Sequence, residues 1–217
     1  MKTGIYWQDP KYAVGQCRND PGCVLYLPLH RLDGISFMSK DAYGHLCSVT
    51  GALWTPRGRR FDGSDDKIDC GSAIITTADF TLMAWIERAE VGVTHDVITQ
   101  WKASTNGRLE FGVGSLNHLN LSIGGSGMAS SSGTIDTNEH HIAVTRAGGA
   151  IKLYIDGSED GTGTDETAIE TGKNTLIGSY GAGAWFKGDI DEVRIYNRVL
   201  PPLEIRRNYL AAKWRYR

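Results

Sequence analysis

Carboxylates are the first residues in this chain whose types and spacing could do chemistry. Asp62, Asp65 and Asp66 crowd a Gly-containing loop, Asp62-Gly63-Ser64-Asp65-Asp66. A hard cation such as Ca2+ takes about six to eight oxygen ligands from carboxylates and backbone carbonyls, and this loop could supply several, although it lacks the EF-hand pattern. The same residues suit a turn in which Asp62 caps its own backbone while Asp65 and Asp66 stay solvated. Asp191 is a second candidate ligand. Near it, Ile190 and Val193 both read as core residues although they are three apart, whereas Val193 and Ile195 are two apart. A bulge around Asp191-Glu192 reconciles the two phases and re-aims a side chain.

Aromatic side chains come next, because sugar rings are recognised by stacking with polar groups around them. Trp85, Trp101, Tyr154, Tyr180 and Trp185 are the candidates, and Tyr154, Tyr180 and Trp185 are the ligand-binding choices. Trp185 ends a Gly-rich loop, Tyr180-Gly181-Ala182-Gly183-Ala184-Trp185-Phe186, where an aromatic is hard to bury. Trp85 shares a strand face with Met83 and reads as core. Two further sets lie near the ends. Tyr6, Trp7 and Tyr12 form an aromatic arm, and Trp214 and Arg215 sit in the basic stretch Lys213-Trp214-Arg215-Tyr216-Arg217. All five are candidates for docking a partner, and the basic stretch also reads as a solvated tail.

Other chemistries find little support. His140 and His141 are adjacent on an extended run, so their side chains point to opposite faces and cannot both hold one metal ion without distortion. Cys17, Cys23, Cys47 and Cys70 lack the close pairs of a zinc site. Four cysteines allow three disulfide pairings. A local bridge between Cys17 and Cys23 is geometrically easy across Asn19-Asp20-Pro21-Gly22, but the sequence does not choose among the pairings or a reduced state. No G-x-S-x-G elbow, P-loop or dinucleotide fingerprint is present. The formal net charge of −2, with both signs interspersed, gives no reason for a nucleic-acid partner or membrane insertion. The first ten residues lack the apolar core of a signal peptide. Either a leader has been removed or the protein leaves the cell by another route, such as lysis with an assembled particle.

The elements that must position these residues are strands. Phe80, Leu82, Ala84 and Ile86 fall on one face, with Thr81, Met83, Trp85 and Glu87 on the other. Leu109-Phe111-Val113, Leu119-Leu121-Ile123, Ile142-Val144 and Ile151-Leu153-Ile155 alternate in the same way. Turn clusters such as Gly148-Gly149 and Asp156-Gly157 separate them. Gly, at 27 of 217 residues, supplies the tight turns such an array needs. Short, regularly spaced strands of this kind predict an all-β sandwich or barrel. One helix is predicted near 201–212, with Pro201-Pro202 in its first turn and Leu203, Tyr209 and Leu210 available to pack. The chain thus divides into an arm (1–21), one domain (22–212) and a tail (213–217).

Several stretches resemble the laminin-G-like family of concanavalin A-like jelly rolls. They are Val24-Leu25-Tyr26-Leu27-Pro28-Leu29, Arg60-Phe61-Asp62-Gly63-Ser64-Asp65-Asp66-Lys67-Ile68, Phe80 to Ile86, His140 to Thr145 with Ile151 to Gly157, and Gly188 to Arg198. The resemblance implies a two-sheet antiparallel jelly-roll sandwich with a short C-terminal helix. It also implies binding of glycans, proteins or structural partners, and often a structural calcium ion at a sandwich edge. Related β-glucan hydrolases carry Glu-x-Asp-x-x-Glu. The nearest match here, Asp189-Ile190-Asp191-Glu192-Val193-Arg194, has an arginine where the second catalytic carboxylate belongs. The expectation is therefore a non-catalytic module. It would be a surface or virion-associated protein, of decoration or tail type, that docks on a larger assembly or recognises a surface, alone or as an oligomer. The alternative is a soluble, secreted, carbohydrate-binding lectin-like module, with a glycoside hydrolase behind both. The place of action would be extracellular or on a virion surface.

Overall fold

A computed structural model describes residues 17, 19–100, 107–125, 127–179 and 184–216. The strands are β1 (Cys23–Leu27), β2 (Ser36–Met38), β3 (Leu46–Thr50), β4 (Leu53–Thr55), β5 (Gly58–Asp62), β6 (Lys67–Asp69), β7 (Phe80–Arg88) and β8 (His95–Gln100). They continue as β9 (Leu109–Val113), β10 (His118–Ile123), β11 (Gly127–Thr134), β12 (Glu139–Ala147), β13 (Ala150–Ile155), β14 (Ser158–Thr164), β15 (Thr175–Ile177) and β16 (Lys187–Tyr196). Helix α1 (Pro202–Ala212) runs into a 3-10 turn over Lys213–Tyr216. The molecule is the expected antiparallel jelly-roll sandwich. One sheet has the order β14-β13-β12-β7-β16-β5-β4, with β1 also paired to β16; the other has the order β11-β10-β9-β8-β15-β6-β3-β2.

Alternation builds the core between the sheets. Phe80, Leu82, Ala84 and Ile86 point inward from β7 and meet Phe111, Leu119, Leu121, Ile142, Val144 and Leu153 in one cluster. The opposite face of the first sheet is not left to water. There Met83, Ala143, Tyr154 and Tyr196 pack with Cys17, Cys23, Tyr26, Leu200 and Ile205 in a second cluster. Ile205 of α1 is fully buried in it. Leu203 and Leu210, expected to pack, are 58% and 47% exposed. Tyr209 instead stacks on Trp85, with ring centroids 5.6 Å apart.

β16 organises the first sheet, and its bulge falls where the core phases require it. On one side β16 pairs with β7, with a register shift between Asp191 and Arg194. On the other it pairs with β5 through Lys187–Ile190, then changes partner to β1 from Val193 onward. Glu192 takes a positive φ of 50°, a region that costs a side-chain-bearing residue energy. Ile190, Val193 and Ile195 all reach the main core as a result. Gly58 lies against the bulge, where a Cβ would come within 2.3 Å of the Ile190 carbonyl oxygen.

Candidate ligand cleft

Cross-strand register places a row of charges on the outer face of the first sheet. Arg60 on β5 lies opposite Asp189 on β16, Asp189 opposite Glu87 on β7, and Glu87 opposite Glu139 on β12. Each pair consists of direct neighbours, with Cβ atoms about 5 Å apart. Arg60 grips Asp189 with two hydrogen bonds, 3.1 and 2.6 Å. Arg57 bridges the two glutamates, donating to Glu87 at 2.8 Å and pairing with Glu139. Arg60 is itself 60% exposed at its side chain while Asp189 is 3% exposed. The guanidinium therefore lies open above a carboxylate that it fixes.

An open cleft of about 750 Å³ stands over this row. Arg60, Glu87 and Asp189 line it, Leu53, Ala89 and Gly188 contribute apolar wall, and Lys187 with Gly51 closes it toward the β5–β6 loop. That loop brings Asp62, Asp65 and Asp66 to the mouth. One carboxylate oxygen from each lies within 4.8 Å of the others. Asp66 is 5% exposed and accepts the Asp62 amide at 2.8 Å, and Asp62 accepts the Ser64 amide at 2.8 Å. Asp62 therefore caps its turn as expected, whereas Asp66, expected to stay solvated, is buried and caps the same loop. Burial raises the Asp66 pKa, and the charges of Asp62 and Asp65 add to this while the amide hydrogen bond opposes it. Three gathered carboxylates, one of them buried, are a donor set that fits a hard, oxygen-seeking cation. Gly51 makes room for them, since a Cβ there would stand 1.7 Å from an Asp66 carboxylate oxygen.

Asp191 does not belong to such a site. It accepts the His30 amide at 3.1 Å, the His30 ring at 3.0 Å, Arg215 at 2.9 Å and the Tyr216 hydroxyl at 2.7 Å. Beside it, Glu192 accepts Tyr26, Arg194 and Arg215 at 3.0, 3.0 and 2.6 Å. His30, Asp191 and Glu192 are close enough to suggest metal ligands, but protein cations and hydroxyls already fill the carboxylates' acceptor positions. Arg215, expected to dock a partner, is likewise corrected. Its side chain is 12% exposed and spent on Asp191 and Glu192. Tyr216 completes the seal by stacking on Trp85 at 4.2 Å.

The aromatic expectations divide three ways. Tyr154 is corrected: at 1% exposure inside the second cluster it offers no ring face to a ligand. Trp185 is half-buried on the segment entering β16, two residues before the cleft-lining Lys187. Trp214 is 65% exposed. Tyr180, Trp101, Tyr6, Trp7 and Tyr12 lie outside the described residues. His141 and His140 do face opposite ways. His141 is buried against Trp85 and Tyr209, with its pKa lowered by burial to about 3. His140 bridges Asp136 and Asp156, and its pKa is raised first by the hydrogen bond to Asp156.

The charged row itself is not legible in the sequence. Alternation places Glu87 on the outer face of β7, but nothing in the sequence states which residues of β5, β12 and β16 stand beside it. Register is the missing quantity.

Comparison with known proteins adds a fold context. Residues 62–206 match the family described as the Concanavalin A-like lectin/glucanases superfamily. No curated protein matches the chain by sequence. Among solved structures, domain 4 of AbnA, a GH43 extracellular arabinanase from Geobacillus stearothermophilus in complex with arabinotriose, aligns at a TM-score of 0.69 and 16% identity. The alignment covers 86% of this chain and 98% of that one. Trypanosoma rangeli sialidase aligns at 0.66 and 19%, over 89% of this chain and 33% of the sialidase. The receptor binding domain of a botulinum neurotoxin C/D mosaic serotype aligns at 0.66 and 14%, over 87% and 51%. At these identities the likeness is one of fold.

Proposed function

Since the chain belongs to the concanavalin A-like lectin/glucanases superfamily, we propose that it is a non-catalytic glycan-binding module that takes its ligand in the cleft over Arg60, Asp189 and Glu87. The observation that carries this reading is the cleft itself. Its volume suits a small ligand, for which pockets run roughly 300–1,000 Å³, and its polar groups are held in place by one another. Fixed carboxylates accept hydrogen bonds from sugar hydroxyls, a guanidinium fork donates them, and Leu53, 69% exposed, offers apolar contact to a ring face. The arabinanase domain supports the same reading. It is matched over nearly its whole length, and its structure is of a complex with arabinotriose.

Two features speak for binding without catalysis. Retaining glycosidases need two carboxylates about 5 Å apart, one of them able to hold a proton. Glu87 and Glu139 are close enough, but Arg57 is ion-paired to both, although burial raises the Glu139 pKa against that pull. Asp191 and Glu192 are saturated by arginines and tyrosines. A Ca2+ ion at the cleft mouth would be held by Asp62, Asp65 and Asp66, where it would neutralise the loop and fix its shape. The place of action would be extracellular or on a virion surface.

Arabinotriose is the first probe, followed by a glycan array, with binding read by calorimetry. Arg60→Ala should weaken binding at least about tenfold, the cost of roughly 1.4 kcal/mol for a lost charge-assisted contact. A protein that retains no glycan, or whose affinity ignores Arg60, would overturn the reading. Cleavage of the probe that disappears in Glu87→Gln would replace it with a hydrolase.

A specific surface favours docking on a larger assembly as a second reading. Leu203 and Leu210, seven apart on one side of α1, and Trp214 in the 3-10 turn that follows are all exposed. Sedimentation of the intact protein with its candidate assembly, against Trp214→Ala, separates the two roles. Unchanged association would remove this stripe from consideration.

A further inference from the structure

The four cysteines, reduced and buried in this structure, fall into two pairs that the fold itself defines. β3 and β6 are antiparallel, with Ser48 opposite Asp69, Val49 opposite Ile68 and Thr50 opposite Lys67. One step further along the same register sets Cys47 opposite Cys70. The two backbones stay close there, because a Cβ on Gly71, the next position, would meet the Leu46 carbonyl oxygen at 2.7 Å.

The hydrogen-bond directions refine the geometry. The Cys70 amide donates to Thr175 on β15, away from β3. On β3, the Val49 amide donates to Ile35 and the His45 carbonyl accepts from Ser39, so the odd-numbered residues, Cys47 included, turn their backbone groups toward β2. Cys47 and Cys70 therefore form a non-hydrogen-bonded cross-strand pair. That is the closely spaced kind, with Cα atoms about 4.5 Å apart, inside the roughly 4.4–6.8 Å that a disulfide spans. Both side chains enter the main core, and the Cys47 thiol, together with burial, raises the pKa of Cys70.

Cys17 and Cys23 meet on the far side of the first sheet. Two successive turns fold this segment back: the Asp20 amide donates to the Cys17 carbonyl and the Cys23 amide to the Asp20 carbonyl. The Cys17 sulfur lies 3.9 Å from the Tyr196 hydroxyl, and Cys23 stands in register with Tyr196. Both belong to the second cluster. A sheet therefore separates this pair from Cys47 and Cys70, and the two mixed pairings would have to pass through it.

We propose that the protein carries two disulfides, Cys17–Cys23 and Cys47–Cys70, formed by exchange with a disulfide oxidant. In each case one cysteine thiolate attacks a sulfur of the oxidant and expels a thiol. The second cysteine then displaces the mixed disulfide. Two protein thiols lose two protons and two electrons, and the oxidant becomes two thiols. Within its pair, the interaction with Cys23 and the charge of Arg194 lower the pKa of Cys17 below the ordinary thiol range against the opposing effect of burial. Such bridges persist where the surroundings are oxidising.

The test refolds the reduced full-length chain in a buffer of reduced and oxidised glutathione, then alkylates it under denaturing, non-reducing conditions. The expected product takes up no alkyl group and is lighter by the hydrogens of four thiols. Its non-reducing digest links the Cys17 peptide to Cys23 and the Cys47 peptide to Cys70. Cys47→Ala should free one thiol, Cys70, while Cys17–Cys23 stays closed. Cys17→Ala should free Cys23 alone. Closing the longer loop should raise the melting temperature of the oxidised wild type roughly 6–12 °C above that of the reduced protein. Four alkylated thiols in the refolded wild type, or a peptide linking Cys17 or Cys23 to Cys47 or Cys70, would overturn the proposal.

Discussion

Two groups of carboxylates sit less than a strand's length apart and meet opposite fates. At the β16 bulge, Asp191 and Glu192 are 1% and 3% exposed and accept hydrogen bonds from Arg194, Arg215, Tyr26, Tyr216 and His30. On the β5–β6 loop, Asp62 and Asp66 have only backbone amides for partners among the described hydrogen bonds, and with Asp65 they face an open cleft. The residue type is the same in both places. What differs is whether the rest of the chain returns to neutralise it. A saturated cluster is a structural joint, whereas an open one is available to something from outside.

The contrast breaks most visibly at Arg215. Arg215→Ala removes a cation shared by two buried carboxylates, and leaving buried charge uncompensated costs about 3–5 kcal/mol. Chemical denaturation should report a loss of that size. A loss below about 1 kcal/mol would mean that the joint is solvated and that the two clusters are alike.

The acid-base behaviour sharpens the same distinction. Burial lowers the pKa of His95 to about 4 and that of His141 to about 3, and burial raises that of Asp96 to about 8. The folded state keeps both histidines neutral while the unfolded chain protonates them near 6.5, so stability falls as pH drops below about 6.5. Asp96 acts in the opposite sense. Folded protein holds its proton where the unfolded chain has released it, so stability also falls as pH rises toward about 8. The sum is a maximum near pH 6.5, and Asp96→Asn should flatten its alkaline side. Melting temperatures across pH 4–9 check both limbs.

A smaller effect belongs to the open loop. Calcium at a hundred times its dissociation constant should stabilise the protein by about 2.7 kcal/mol, and a chelator should reverse the gain. Asp65→Asn should abolish this response at little cost to the metal-free protein. A melting temperature indifferent to calcium would leave these residues as turn caps. Smallest of all, Trp214→Ala should change stability by no more than about 0.5 kcal/mol, because its ring is mostly in water.

Much of this architecture is legible in the sequence, and the parts that are not share a cause. Strict alternation over Phe80–Ile86 assigns the two faces of β7, and the conflict of phase between Ile190 and Val193 locates the bulge. Pro201-Pro202 marked the start of α1. Tyr154 escapes the sequence because alternation says only which face a residue occupies. It does not say that α1 and Cys17 will cover that face and make a second core. The role of Arg215 escapes it for a related reason. Its partners lie 23 and 24 positions earlier, and no local pattern records that a 3-10 turn brings the chain end back to them. Arg60 and Asp189 needed the register of two strands far apart in sequence.

The partner change along β16 has a mechanical consequence. Cys23 opens β1 and stands opposite Tyr196, the last residue of β16. A pull on the two chain ends therefore loads both strands at the same end of their shared ladder. Such a ladder peels one bond at a time instead of shearing all its bonds together. Before the load can reach it, the turn holding Arg215 and Tyr216 against the bulge must give way, followed by α1 with Ile205 in its pocket. Under tension, resistance would thus sit in the two arginine-bound carboxylates rather than in the sheet they flank.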